Sequence, residues 1–169
     1  MIFFGTGVVG VVKNKKGSIG LAKVWRHSPL SFSKKNTFPV FPEVADLGLW
    51  SWECVRGGVE KGDQGAQQAM LRELEEEIGL TAQDILKINK CGHIISDTAI
   101  TVGHHEVFII IVKNSFKGKK LQKEEMICEF NFFSNREIGK LIKEKKLFCS
   151  ASQSAILQTI EFENARNEK

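Results

Sequence analysis

The stretch LRELEEEIGL, residues 71–80, decides how this chain folds, because it combines the spacing of a helix with four glutamates. We predict a helix from about Ala66 to Ile78 that ends where Gly79 serves as its C-terminal cap. At about 100° per residue, three apolar side chains share one arc of this helix: Leu71, Leu74 and Ile78. Three glutamates share the opposite arc: Glu73, Glu76 and Glu77. Glu75 lies between the two arcs, on the side of Arg72, and is predicted to stay outside this carboxylate cluster.

The carboxylate cluster needs a compensating charge. Like charges about one turn apart destabilise a helix by a few tenths of a kcal/mol per pair. A hard divalent cation would offset this repulsion, because Mg²⁺ prefers oxygen ligands and is commonly shared between carboxylates and substrate phosphates. The helix alone also allows a second interpretation, a solvated acidic face balanced by Arg72 and neighbouring lysines.

The residues before the helix favour the metal. WECVRGGVEKGDQG, residues 52–65, places a Gly-Gly pair at the end of a predicted strand. Glycine lets the backbone approach a ligand closely, so its carbonyl can coordinate a cation. Strand, glycine loop and carboxylate helix together resemble the Nudix hydrolases, whose signature ends in a motif that Arg72–Leu80 matches without a mismatch. The resemblance implies an α+β fold, a Nudix-type α/β/α sandwich with a mixed sheet between helices.

The first half of the signature departs from the family pattern. Counting from Gly58 places Gln64 where the family has its first glutamate. Counting from Gly57 places Asp63 there, with one extra residue before Arg72. We favour the second alignment, because RGGVEKGD then follows the usual order of the family. In either alignment a glutamate that orients the loop and the helix is replaced, which predicts a weaker organisation of the metal.

The resemblance also implies roles for individual residues. The Mg²⁺ ligands, for which Mn²⁺ is an alternative cation, would be Glu73, Glu76, Glu77 and the carbonyl of Gly57 or Gly58. Arg72 would hold the acidic cluster in position. The implied reaction is the attack of metal-activated water on a diphosphate, which splits a nucleoside diphosphate linked to a group X.

The resemblance implies that the general base lies outside the signature. Glu106, at the start of a predicted central strand, is the first candidate for a base or a further metal ligand, and Glu124 and Glu125 are its rivals. His104 and His105 are candidates for contact with phosphate or for the general base, although adjacent histidines at a strand entry are more often structural. A charged residue at the mouth of a strand is the plain alternative for Glu106.

The substrate is left open between two groups. AKVWRHS and WSWECVRGG resemble the ADP-ribose and ADP-sugar pyrophosphatase branch, whose members are commonly homodimers. WECVRGG and QQAMLREL also resemble RNA 5′-pyrophosphohydrolases and dinucleoside polyphosphate hydrolases, and NTP pyrophosphatases are a further alternative. The candidate substrate-binding residues are Arg26, Arg56 and Trp52. Trp25, Trp50 and Trp52 could each stack on a nucleobase or pack in the core. A Nudix-like domain that binds a nucleotide without hydrolysing it is the non-enzymatic alternative.

Composition sets the broader limits. With 169 residues, 42% hydrophobic and 26% charged, the chain fits one domain over residues 1–169, with a flexible tip. The net charge of +4 comes from dispersed lysines without a basic patch interleaved with aromatic residues, which makes a nucleic-acid partner unlikely. The resemblance implies a small nucleotide as the partner, with an RNA 5′ end as the exception. Four cysteines without a C-x-x-C pair indicate neither zinc nor disulfides. No apolar run predicts a membrane span and no signal peptide is recognised, so a cytoplasmic protein is expected.

The remaining elements follow from local patterns. We predict a hairpin from residues 2–12 and 18–26, then a long loop that holds all three prolines. Further strands are predicted at residues 49–55, 85–96, 104–113 and 127–134. Ser134 and Glu137 form a capping box that starts the next helix. The last predicted helix runs from about Ser152 to Glu163.

Overall fold

A computed structural model describes residues 3–26, 49–97, 101–118 and 127–167 of the chain. Its strands are β1 Phe3–Asn14, β2 Ile19–Arg26, β3 Leu49–Glu53, β4 Val55–Gly58, β5 Ile85–Asp97, β6 Thr101–Val112 and β7 Ile127–Phe133. Its helices are α1 Ala66–Ile78, α2 Asn135–Lys143 and α3 Ser150–Asn167. The predicted long loop at residues 27–48 lies outside the described residues.

The seven strands form one mixed sheet. β1 pairs in parallel with β6 along its whole length, from Phe3 opposite Thr101 to Asn14 opposite Val112. β1 also pairs antiparallel with β2 and with β4, and the main strand order is β3-β2-β1-β6-β5, with β7 on β2. The hairpin predicted at the start of the chain is confirmed, and its turn closes with Gly17 at φ 84°. The predicted mixed sheet is therefore present.

Two cores lie on the two faces of this sheet. Side chains alternate along β1, so successive residues enter different cores. The core under α1 includes Val8, Val12, Leu74, Ile78, Phe108 and Ile110. The core under α2 and α3 includes Val9, Val11, Val107, Ile109, Leu141 and Ile156. A sheet covered by helices on both faces confirms the predicted α/β/α sandwich.

The helix ends follow the predicted signals. α1 has the predicted bounds, and Gly79 is left-handed at φ 65°, donating its N–H to the Glu75 carbonyl at 3.0 Å. The Ser134 and Glu137 capping box opens α2, and it lowers the pKa of the Glu137 carboxyl. α3 is longer than predicted at both ends. Among the described helices, none has the length and apolar character needed to cross a bilayer.

Candidate active site

Strands β1 and β4 pair through glycines next to β6. In β4, Gly57 pairs with Val8 and Gly58 pairs with Gly7. We call Gly7, Gly57 and Gly58 the glycine rim. A Cβ on Gly7 would lie 2.6 Å from Nδ1 of His105 and 2.7 Å from the Gly57 carbonyl oxygen, so only glycine fits there without a shift. The rim therefore brings β1, β4 and β6 close together at the end of the sheet.

Glu73 projects from α1 directly onto the rim. Glu73 is only 9% exposed, and a Cβ on Gly57 would overlap the Glu73 carboxylate. The prediction that Glu73 lies opposite the apolar arc of α1 was wrong. The side of α1 that faces the sheet comprises Ala69, Met70, Glu73, Leu74 and Ile78, whereas Leu71 is only half-buried. The predicted arc left out the buried Met70, which packs against Gly10 of β1, so the face that contacts the sheet includes Glu73.

The guanidinium of Arg72 joins the acidic groups to the rim. Its Nη1 donates to Oε1 of Glu73 at 2.7 Å and to Oε2 of Glu76 at 2.9 Å. Its Nη2 donates to the Gly58 carbonyl at 2.9 Å and to Oδ2 of Asp63 at 3.2 Å. Hydrogen bonds from Arg72 to Asp63 and to the glutamates raise its pKa further above its already high value. Arg72 thus occupies the position expected of a residue that holds the acidic cluster together.

Asp63, and not Gln64, contacts Arg72. The Asp63 side chain is 6% exposed, and its carboxylate also accepts the backbone N–H of Glu60 at 2.8 Å. Hydrogen bonds from Arg72, followed by that from Glu60, lower the pKa of the Asp63 carboxyl. Gln64 is exposed, and its backbone N–H donates to Gln68. Gly65 follows at φ 127°, a conformation that suits glycine, at the point where the favoured alignment has its extra residue.

The remaining glutamates of α1 differ in exposure. Glu75 and Glu76 are exposed, and Glu77 is half-buried. Glu76 reaches Arg72, as a residue one turn further along the helix can. The carboxylates and the rim carbonyls supply the hard oxygen donors that Mg²⁺ prefers, so the donor chemistry fits this cation. Within the described ranges, however, no three His, Cys, Asp or Glu side chains converge as a ready metal cluster, and Arg72 lies between Glu73 and Glu76.

Glu106 lies on the same face of the sheet as α1. It is two residues before Phe108, which packs in the core under α1, and it stands opposite Val8 in β1. Because Val8 in turn stands opposite Gly57, Glu106 is two strand spacings, about 10 Å, from the rim. Its Oε2 lies 3.0 Å from Nζ of Lys90. Glu106 therefore borders the cluster without contacting Arg72.

The two adjacent histidines point to opposite faces. His104 is exposed on the α1 side, where its ring lies 5.0 Å from that of His93. His105 lies over Gly7 on the other face, and burial, followed by the charges of Arg56 and His104, lowers its pKa. The pattern in the sequence did not single out His93, because only its pairing across the β5–β6 hairpin brings it to His104.

The candidate substrate-binding residues have different surroundings. Arg56 precedes the rim and pairs with Glu53, a residue that the sequence did not single out. Trp52 is 9% exposed and packs edge-on against Phe133, which favours core packing over stacking on a nucleobase. Trp50 is the exposed indole, at 43%, and lies against Trp25. Arg26 ends β2, and its side chain is outside the described part, as are Glu124 and Glu125.

Comparison with known proteins identifies the family. The NUDIX domain family matches residues 4–149, so the chain belongs to the Nudix family, as its resemblance to the Nudix hydrolases predicted. Two solved structures share the fold. An Ap4A hydrolase from C. elegans has a TM-score of 0.63 at 14% identity and covers 95% of this chain and 98% of its own. A MutT protein from Methanosarcina mazei Go1 has a TM-score of 0.62 at 16% identity, over 99% and 98%.

A curated relative matches a shorter segment. An RNA pyrophosphohydrolase from Vibrio cholerae is 44% identical over 46 residues, which are 27% of this chain and 26% of that protein. The match therefore spans about a quarter of the relative. The two structural likenesses show the fold, and the family match shows the family.

Proposed function

We propose that the chain is a Nudix pyrophosphohydrolase, which hydrolyses a diphosphate bond in a nucleoside diphosphate linked to a group X. The observation that carries this proposal is the Arg72 network, which joins Asp63, Glu73, Glu76 and the Gly58 carbonyl at the glycine rim. Burying a glutamate and its arginine partner against a glycine loop costs desolvation free energy. The presence of this pair therefore favours a functional role for the site over a purely structural one.

The carboxylate cluster would hold Mg²⁺, with Mn²⁺ as the alternative. The proposed ligands are Glu73, Glu76, Glu77 and the carbonyl of Gly57, since the Gly58 carbonyl already accepts a hydrogen bond from Arg72. When bound, the cation would neutralise phosphate charge and lower the pKa of a coordinated water. Glu73 is the ligand fixed most firmly, because Gly57 and Arg72 restrain it from two sides.

Proton transfer and positioning fall to neighbouring residues. Asp63 and Arg72 would orient the loop and the cluster. Glu106 would accept the proton of the attacking water or add a metal ligand, and its carboxylate pairs with Lys90. Glu124 and Glu125 stay predictions for the same role. His104 borders the α1 face and would contact a phosphate from that side.

The names of the relatives favour polyphosphate substrates. An RNA pyrophosphohydrolase and an Ap4A hydrolase both belong to the second group that the sequence left open. We therefore propose a dinucleoside polyphosphate or an RNA 5′ end before ADP-ribose, ADP-sugars or NTPs. The predictions of a cytoplasmic location and a homodimer stay predictions.

A nucleotide-binding domain without activity is the rival class. Such a domain has no need for repelling carboxylates, yet Glu73, Glu76 and Glu77 are all present together with Arg72. The test is a panel of ADP-ribose, an ADP-sugar, Ap4A, NTPs and 5′-triphosphate RNA with Mg²⁺, scored by product identity. We expect two phosphate-containing products from at least one substrate. If the panel is not cleaved while a known Nudix hydrolase cleaves it, the domain is a binder.

A further inference from the structure

Glu53 is a buried carboxylate with no role in the site described so far. Glu53 lies at the end of β3 and is 1% exposed. Its Oε2 lies 3.3 Å from both Nε and Nη2 of Arg56. Burying an ion pair costs desolvation that a well-packed apolar pair would avoid. The fold alone therefore does not explain why this strand position carries a glutamate.

Arg56 lies directly before the rim but on the other face. Val55 packs in the core under α1 and Gly57 receives Glu73 from the same side, so the intervening Arg56 points to the opposite face. Consecutive Cα atoms are about 3.8 Å apart, which places Arg56 and Gly57 next to each other at the rim. A ligand that crosses the rim can thus meet the carboxylate cluster on one face and Arg56 on the other.

The guanidinium of Arg56 is partly available. Its side chain is 30% exposed, and Glu53 binds it through Nε and Nη2. Within the described part of the chain, Nη1 meets no acceptor. A guanidinium presents a planar set of donors, so a carboxylate that fixes one edge also fixes the direction of the other. Phosphate oxygens are the acceptors that such an edge binds best.

We propose that Glu53 is a positioning residue, which holds Arg56 at the glycine rim so that its outer edge binds a phosphate oxygen of the substrate. This inference rests on the proposed function, since it assigns a contact to the same diphosphate. Glu53 itself does not touch the substrate. Because Glu53 already restricts the Arg56 side chain in the free protein, less conformational entropy is lost when the substrate binds.

The test compares Glu53→Gln, Arg56→Gln and the double variant. KM and kcat are measured with the substrate that the panel identifies, and the Kd of ADP is measured by calorimetry with Mg²⁺. Because hydrogen bonds to charged groups are the strong ones, we expect each single variant to raise KM and Kd about tenfold. We expect kcat to change less than about threefold, because the contact is present in both ground and transition states. The double variant should bind no more weakly than Arg56→Gln, since Glu53 acts through Arg56.

Three further variants separate positioning from stability. Glu163→Gln removes the ion pair of Lys13 and Glu163, at 2.6 Å, and Lys13 lies six residues beyond Gly7 in β1, about 20 Å away. It should lower Tm without changing KM. Glu53→Asp keeps the charge and serves if Glu53→Gln fails to fold, with an expected KM between those of wild type and Arg56→Gln. Arg56→Lys keeps the charge without the planar edge and should recover only part of the affinity.

The outcomes also separate this inference from the proposed function. If Glu53→Gln, or Glu53→Asp in its place, lowers Tm but leaves KM and Kd unchanged, the pair is only structural and the inference is overturned. Additive losses in the double variant overturn it as well. A wild type that binds ADP through Glu53 and Arg56 but cleaves nothing in the panel supports this inference and overturns the proposed function.

Discussion

Replacing Gly57 with alanine tests the placement of Glu73 most sharply. A methyl group at Gly57 would overlap the Glu73 carboxylate, whereas one at the adjacent Gly58 would meet nothing within 4 Å. Neither glycine has a positive φ, so the backbone tolerates alanine at both positions. Gly57→Ala and Gly58→Ala are thus matched variants that differ in whether they displace Glu73.

The magnitude follows from the contacts that are lost. Displacing Glu73 breaks its 2.7 Å hydrogen bond with Arg72, which is worth about 1.5–3 kcal/mol for a charged pair of low exposure. A gain of about 0.4–1 kcal/mol from the more restricted unfolded chain opposes this loss. The net destabilisation of Gly57→Ala is about 0.5–2.6 kcal/mol, which lowers Tm by about 1–10 °C for a domain of this size. Gly58→Ala keeps only the gain and should raise Tm by about 1–4 °C.

Thermal unfolding of both variants without metal is the assay, with Mg²⁺ added in a second series. Mg²⁺ should raise the Tm of wild type and Gly58→Ala more than that of Gly57→Ala, because a displaced Glu73 is a poorer ligand. Equal Tm values for the two variants, with equal responses to Mg²⁺, would show that Glu73 does not lie against Gly57.

Three other predictions concern the Arg72 network and the glycine rim. Asp63→Asn should weaken metal affinity about tenfold, as the loss of an outer-shell partner does, while Gln64→Ala changes it less than about twofold; calorimetry with Mn²⁺ checks both. Glu76→Gln should cut turnover at least about 100-fold and Glu75→Gln less than twofold, since of these two glutamates Glu76 alone contacts Arg72. Equal effects of the two substitutions would refute the assignment of Glu76. Burial lowers the pKa of His105, so the unfolded chain binds a proton at this side chain more readily than the folded one. Protonation therefore leaves the free energy of unfolding unchanged well above about pH 6.5 and lowers it increasingly as the pH falls towards the lowered pKa. The Tm of wild type should therefore fall relative to His105→Gln between about pH 7.5 and 5.5, and parallel curves would contradict this.

Local signals in the sequence predicted the elements of this fold well. α1 begins and ends at the predicted residues, because Gly79 can adopt the left-handed conformation that ends a helix. Ser134 starts α2 through a capping box that is visible in the sequence. These signals involve neighbours in the chain, so tertiary packing does not alter them.

Positions that depend on packing were harder to predict. The helical arc placed Glu73 on the side away from the sheet, because the pattern could not show that Met70 fills the space left by Gly10. Glu53 was missed although a charged residue in the apolar run LWSWECV, three residues before an arginine, was a usable signal. The ambiguity between Asp63 and Gln64 required the position of Arg72, which only the folded loop provides.

The most direct test of the central claim is Mg²⁺-dependent hydrolysis of the substrate panel by wild type and Glu73→Gln, measured side by side with their Tm values. We predict that wild type releases two phosphate-containing products in a Mg²⁺-dependent reaction. We predict that Glu73→Gln is at least about 100-fold slower while it stays folded, because it loses a charged oxygen ligand at the rim. Equal rates for the two proteins, or no cleavage by wild type with either Mg²⁺ or Mn²⁺, would contradict the assignment of this site.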